Sequence, residues 1–442
     1  MLIIESKSQL IEYFIQGIKN ENQLRIGVEH EKFLFTGKEK KRANYKQIKK
    51  IFKNLETFGW KAVYEKEKVI GLKRGEQQIT TEPGLQYELS GAPLKNIHLV
   101  CSESSTHFKE IKLATKDLDI STNSIGFDPF NNLDEVPQNP KERYKIMTKE
   151  MQKGGKLSLQ MMYQTSGIQI NYDYTSEKDF EKKFKVGNYL VPVTIALFAN
   201  SPFANKKFTG YLSYRNKVWQ NTARGGIMPI TFEDLNFEKY LDHAINYSLL
   251  FVIHDGKYIK PNGQTFKDFM EGNFLPLKGI KATIKDFETH LATIFTEVRL
   301  KQFIEVRSID TCDWGCICNG PAFFTGLLYG ALDETYEVVK SWTKDEVIEA
   351  YLRSPKQGLE TELKGRKLHE WGKIFLDLAK KGLNKRKEMN ANNKDETIYL
   401  KHIEDIIDRK TNRAQLLLEE FNKQGNLDFF NNAKEDFSYS GL

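Results

Sequence analysis

Three stretches of this chain alternate apolar and polar residues with the period of an extended strand, and together they constrain the fold more than any other feature. They are Leu24–Phe35, Gly167–Tyr174 and Gln302–Ile309. Side chains at i and i+2 of a strand share one face. Glu29 and Glu31 therefore point together, as do Gln169 and Asn171, and Glu305 and Arg307. A strand with one wet face gives the same alternation. Three strands that carry carboxylates, amides and a guanidinium point further, to a polar cavity on a sheet.

A fourth segment, Ile79–Pro93, adds Glu82 and Glu88 on either side of a turn at Pro83-Gly84. Four to five carboxylates on one face repel one another, which raises their pKa values or collects divalent cations. Mg²⁺ takes carboxylate oxygens, keeps waters and bridges to nucleotide phosphates. A guanidinium such as Arg307 suits a phosphate bidentately. These are the parts of phosphoryl transfer. The sequence has no G-x-x-x-x-G-K-[ST] loop and no Ser-His-Asp or Cys-His pairing, and His30, His98 and His107 read as structural.

Helical periodicity is expected over Ser8–Lys19, Tyr45–Phe58, Leu94–Leu118, Lys141–Met151, Glu177–Leu190 and Phe287–Phe295, and from Thr343 onward almost throughout. Val69–Leu72 and Gln78–Thr81 read as short strands around Gly75. Strands mixed with helices, without regular βαβ spacing, give an α+β fold with an antiparallel sheet. We divide the chain into residues 1–342, the catalytic part, and a helical C-terminal region, 343–442, packed on it.

The net charge of +7 comes from lysines interleaved with acids, so a nucleic-acid surface is not expected. The longest apolar run, around Leu190–Phe203, is interrupted by Pro192, Asn200, Ser201 and Pro202, so no membrane span is expected. The start, MLIIESKSQLIEYF, does not read as a signal peptide. Four cysteines in 442 residues argue for a reducing compartment, and the expected location is the cytoplasm. Cys312, Cys316 and Cys318 form a poor zinc pattern.

The same residues carry a resemblance. GVEHEKFLF (Gly27–Phe35), TTEPGLQYELSGAPL (Thr80–Leu94), IALFANSPF (Ile195–Phe203), TGYLSYRNKVW (Thr209–Trp219), HLATIFTEVRLKQFIEVRSID (His290–Asp310) and PAFFTGLLYG (Pro321–Gly330) resemble the plant and proteobacterial type of glutamate–cysteine ligase. That family lies within the glutamine-synthetase-like carboxylate–amine ligases. The resemblance implies a curved antiparallel sheet forming a funnel, with ATP at one end and the amino acids at the other. It implies Mg²⁺ (or Mn²⁺) on Glu29, Glu31, Glu82, Glu88 and Glu305, with Gln169 as a further ligand. Arg307 would act on the transferred phosphoryl group, with Glu31 and Glu82 also in the catalytic set. Arg215, Arg143, Trp219 and Asn171 would bind the amino acids.

The implied reaction joins the γ-carboxyl of L-glutamate to the amine of L-cysteine at the expense of ATP, the first step of glutathione biosynthesis. A monomer or weak homodimer is expected. The chain departs from the family at Gln164, at Asn221–Gly226 and at Ser308–Cys312. Two alternatives follow: a γ-glutamyl ligase with another acceptor amine, or a nucleotide-binding paralogue without turnover. Cys101 and Cys318 match positions that pair in plant members. Here they are expected to be two unpaired buried thiols, as in a reducing cytosol.

Overall fold

The computed structural model describes residues 2–313 and 317–432. A large antiparallel sheet dominates it. Its strands are β1 (Ile26–Thr36), β2 (Lys41–Arg42), β3 (Lys61–Glu65), β4 (Lys68–Arg74), β5 (Gln77–Thr81), β6 (Tyr87–Ser90), β7 (Ile120–Asn123) and β8 (Gly167–Tyr172). Two short ribbons follow in the chain, β9 (Phe203–Ala204) with β10 (Lys207–Phe208) and β11 (Val252–His254) with β12 (Lys257–Ile259). The large sheet is completed by β13 (Val298–Leu300) and β14 (Ile304–Asp310). Its order is β13-β14-β8-β1-β6-β5-β4-β3, while β2 and β7 pair with the far end of β1. The register sets Glu29 opposite Gln169, Glu31 opposite Glu88, and Glu305 opposite Asn171.

The period-two pattern holds: one face is fully buried, while Glu29, Glu31 and Asn171 on the other are half-buried. Val28, His30 and Lys32 are at most 4% exposed. The apolar set Val28, Ile168, Ile170 and Val306 packs on helix Ile97–Thr115 through Val100 and Phe108, and on helices Asn319–Thr325 and Leu368–Arg386. Burying each such side chain contributes about 1.5–3 kcal/mol. The C-terminal helices enter this same core through Trp371, Phe375 and Ile403. Gly382 makes that packing possible, because a Cβ there would sit 1.9 Å from the Gly326 carbonyl oxygen.

Cap chemistry starts the helices where the polar residues allow. Asn44 accepts from the Gln47 N–H, Ser176 from Asp179 and Thr343 from Glu346. In the large sheet β2, β3, β7 and β13 escape the sequence reading, as do the ribbons β9–β12. β3 is an edge strand with little burial, and β7 pairs only with the end of β1, so neither carries a strong alternation. The helix expected over Phe287–Phe295 begins earlier, at Ile284 behind the Thr283 cap, and ends at Leu291.

The expected free thiols are corrected. Cys101 and Cys318 form a disulfide with a Cα–Cα distance of 5.9 Å. Helix Ile97–Thr115 and the segment entering helix Asn319–Thr325 both back onto the sheet, which brings the two buried residues together. Cys318 is thereby unavailable to a metal, and Cys316 lies outside the described residues.

Candidate active site

The polar face of the sheet borders a cavity of about 430 Å³. Eight of the expected residues line it: Glu29, Glu31, Glu82, Glu88, Gln169, Arg143, Trp219 and Arg307. The opposite wall is apolar, with Met147, Met161, Met162, Phe251 and Phe295. Helix Ile284–Leu291 contributes Lys285, Glu288 and Thr289. A recess of about 320 Å³ shares Glu82, Glu88 and Arg143 and runs over β3–β5 beside Lys141 and Tyr258.

The carboxylates are fixed by hydrogen bonds from the backbone, from amides and from hydroxyls. Gly167 N–H donates to Glu31 Oε2 at 2.6 Å, and Gln169 Nε2 donates to Glu31 Oε1 at 3.1 Å. A Cβ on Gly167 would lie 2.5 Å from Arg215 Nη2, so a larger residue there would displace that guanidinium. Asn171 Nδ2 donates to Glu29 Oε1 at 3.2 Å, and Ser90 Oγ to Glu88 Oε1 at 2.8 Å. The Tyr144 hydroxyl donates to Glu82 Oε1 at 3.3 Å.

Burial, with Glu82 adding repulsion, pushes Glu31 up to about 7 against the pull of Arg215. Burial also raises Glu29, with Glu305 adding to it, and raises Glu88 well above the carboxylate range, with Glu82, Glu29 and Glu31 adding to that. The four carboxylates share one cavity without converging. Among the described residues, no three His, Cys, Asp or Glu side chains form a ready metal cage. Buried, mutually repelling carboxylates whose charge Arg215, Arg299, Lys301 and Arg307 offset only in part fit a hard divalent cation that takes further ligands from water and polyphosphate.

Glu305 sits differently. Arg299 holds both of its oxygens at 2.9 Å, Lys301 approaches to 3.1 Å, and Arg307 Nη1 donates to it as well. Burial would raise its pKa, but these cations hold it well below the usual range. With both oxygens engaged, Glu305 is placed as the anchor of a cation cluster. Of the carboxylates expected to hold metal, Glu29, Glu31, Glu82 and Glu88 line the cavity itself, beside Gln169.

Arg307 Nη1 also donates to Gln169 Oε1, while its Nε is buried without a hydrogen-bond partner among the described residues. Trp219 Nε1 is in the same state. The guanidinium carbons of Arg307 and Arg215 lie 5.5 and 5.4 Å from the Trp219 ring centroid. Arg215 and Asn171 do not line the cavity. Arg215 stands behind it, where its Nη2 donates to the Arg307 carbonyl at 2.9 Å.

Sequence reasoning missed Arg299, Lys301, Tyr144, Glu297 and Asp310. For Arg299 a signal exists, since Val298 and Leu300 flank it in the same alternation. Asp310 has none, because a bulge between Val306 and Ile309 resets the face it occupies. Its carboxylate accepts from the Asn200 N–H and from Ser201 and Ser213.

Comparison with known proteins gives the class first: the chain is an enzyme, a ligase. The family described as Glutamate-cysteine ligase family 2 (GCS2) matches residues 25–433. A chloroplastic glutamate–cysteine ligase of Solanum lycopersicum is 39% identical over 420 residues, 94% of this chain and 79% of the relative. The chloroplastic enzyme of Arabidopsis thaliana is 38% identical over 423 residues, 94% of this chain and 80% of the relative. The chain belongs to the glutamate–cysteine ligase family. A crystal structure of glutamate–cysteine ligase from Francisella tularensis in complex with AMP shares the fold, with a TM-score of 0.55 at 14% identity over 93% of this chain and 87% of the other. The cytoplasmic expectation is corrected, because the relatives that match nearly the whole chain are named chloroplastic. No described helix is long and apolar enough to cross a membrane.

Proposed function

We propose that this ligase joins glutamate to cysteine in the cavity on the polar face of the sheet, with ATP as the phosphoryl donor and a divalent cation on Glu29, Glu31, Glu82 and Glu88. The observation that carries the reading is the pairing of this carboxylate set with Arg307, whose guanidinium is clamped between Gln169 and Glu305. Mg²⁺, when bound, supplies charge neutralisation for the triphosphate and the departing ADP.

In the first step the glutamate γ-carboxylate oxygen bonds to the γ-phosphorus while the β–γ bridging bond breaks. In the second the neutral cysteine amine nitrogen bonds to the acyl carbon, the carbon–oxygen bond to phosphate breaks, and the departing inorganic phosphate takes up the proton that the nitrogen loses. Such chemistry rests on positioning and fixed charge, so no nucleophilic side chain is required. Arg307 stabilises the equatorial oxygens of the transferring group, and its clamp removes the cost of reorienting it. Arg143 and Lys141 stand where the cavity meets its recess, placed to meet anionic groups. Burial, with Arg143 beside it, lowers Lys141 to about 8. Trp219 and the methionine wall give the acceptor's side chain a dry surface and exclude water from the acyl phosphate.

The test is ADP release that depends on both glutamate and an amine, with cysteine as the active acceptor. An active enzyme that uses another amine would replace the acceptor, and no release with any amine would sink the reading.

A further inference from the structure

Glu297 lies between the cavity-lining Phe295 and β13, and it is 2% exposed. Its N–H donates to the Gly226 carbonyl and its own carbonyl accepts from the Arg307 N–H, both at 3.0 Å. The carboxylate accepts from the Tyr351 hydroxyl at 2.8 Å. Among the described residues no Lys, Arg or His nitrogen is within 4 Å of it, although Arg215 and Arg307 are near enough to offset part of the rise that burial causes. Arg215 is the complementary case. Its Nε and Nη1 are buried without hydrogen-bond partners among the described residues, and its nearest carboxylate, Asp310, is 3.8 Å away.

Tyr351 comes from helix Lys344–Gln357, in the C-terminal region. That helix is bound to the one that carries Arg215 and Trp219, Tyr214–Gln220. Gln220 Nε2 donates to the Tyr351 carbonyl, and the Pro355 carbonyl accepts from the Leu212 and Ser213 N–H groups at 2.8 and 3.0 Å. Gly226, at φ +86, adopts a left-handed turn that most side chains resist, and a Cβ there would approach the Tyr351 hydroxyl to 3.8 Å. A buried carboxylate with one neutral donor is costly unless nearby positive charge repays it.

We propose that Glu297 and Tyr351 are positioning residues of the reaction: the Tyr351 hydroxyl orients the Glu297 carboxylate, which balances Arg215 and Arg307 from behind and keeps the Arg307 guanidinium aligned with the cavity. This rests on the proposed role of Arg307 in phosphoryl transfer. It makes the C-terminal helices part of the catalytic apparatus, beyond their packing on the core.

The test compares kcat and KM of the full chain with those of Tyr351→Phe and Glu297→Gln, together with thermal unfolding. By analogy with partners that orient metal ligands, kcat is expected to fall about 10-fold in Tyr351→Phe and about 100-fold in Glu297→Gln, with KM for ATP changing less. In an Arg307→Ala background the added Tyr351→Phe change should cost little more, since both act through one guanidinium. If Glu297→Gln does not fold, Tyr351→Phe decides. An unchanged kcat in folded Tyr351→Phe, or the same loss with Arg307 absent, overturns the inference even if the melting temperature drops. An unmodified chain that makes no γ-glutamyl product overturns the function itself, which is a separate result.

Discussion

Glu31 and Glu88 stand directly opposite each other across the β1–β6 ladder, and both carboxylates reach the same cavity. Like charges in that relation destabilise a sheet. Tyr87 and Leu89, on either side of Glu88, are buried in the core behind β6, so a one-residue slip would exchange core and cavity faces. The fold therefore holds a repulsive pair that a proton or a divalent cation can relieve.

The first prediction concerns pH and metal together. A carboxyl raised from 4.5 to about 7, as Glu31 is, binds its proton more tightly folded than unfolded. Its contribution is present below pH 4.5 and is lost as pH rises to about 7, and Glu88 and Glu29 act in the same direction. The melting temperature of metal-free protein should fall between about pH 5 and pH 8, and millimolar Mg²⁺ or Mn²⁺ should restore most of the loss at the upper end. A melting temperature indifferent to both pH and cation would contradict the cation site.

Neutral isosteres separate the charge of these groups from their shape. Glu31→Gln and Glu82→Gln should keep the fold and lose ADP formation by on the order of 100-fold or more, because each removes an anionic ligand of the cation that neutralises the triphosphate. Glu305→Gln should behave differently. It frees Arg299, Lys301 and Arg307 from their shared anchor, so its unfolding temperature should fall as well as its activity. Circular dichroism melts beside steady-state rates would show the contrast.

Arg307→Ala should lower kcat by about 1000-fold, as expected for an arginine that acts on a transferring phosphoryl group. A change confined to KM for glutamate would move Arg307 from the phosphoryl group to the amino-acid side.

The disulfide gives a structural prediction. Cys101 and Cys318 are 217 residues apart, and closing so long a loop contributes about 2–4 kcal/mol. Reduction, or Cys101→Ser, should lower the melting temperature by several degrees, and both residues should resist alkylation until reductant is added. Full alkylation of both in non-reducing buffer would show that the bond is absent.

Much of the site was legible because strand period two is rigid. Once Glu29 and Glu31, Gln169 and Asn171, and Glu305 and Arg307 were placed on strands, their shared face followed. What that period cannot show is which groups are already engaged. Glu305 and Glu31 look alike in sequence, yet Arg299 takes one and the Gly167 N–H takes the other. Period two also fails at a bulge, which hid Asp310. The Cys101–Cys318 bond and the Tyr351–Glu297 contact join segments far apart in the chain, and no local pattern encodes such contacts.

The reaction proposed for the cavity joins glutamate to cysteine at the expense of ATP. Its most direct test incubates the full chain with ATP, Mg²⁺ and glutamate, adds single amines in turn, and follows ADP together with the mass of the peptide product. ADP is expected in equal amount to γ-glutamylcysteine, strongest with cysteine and absent without glutamate. Release that proceeds equally well without glutamate, or no release with any amine, would contradict it.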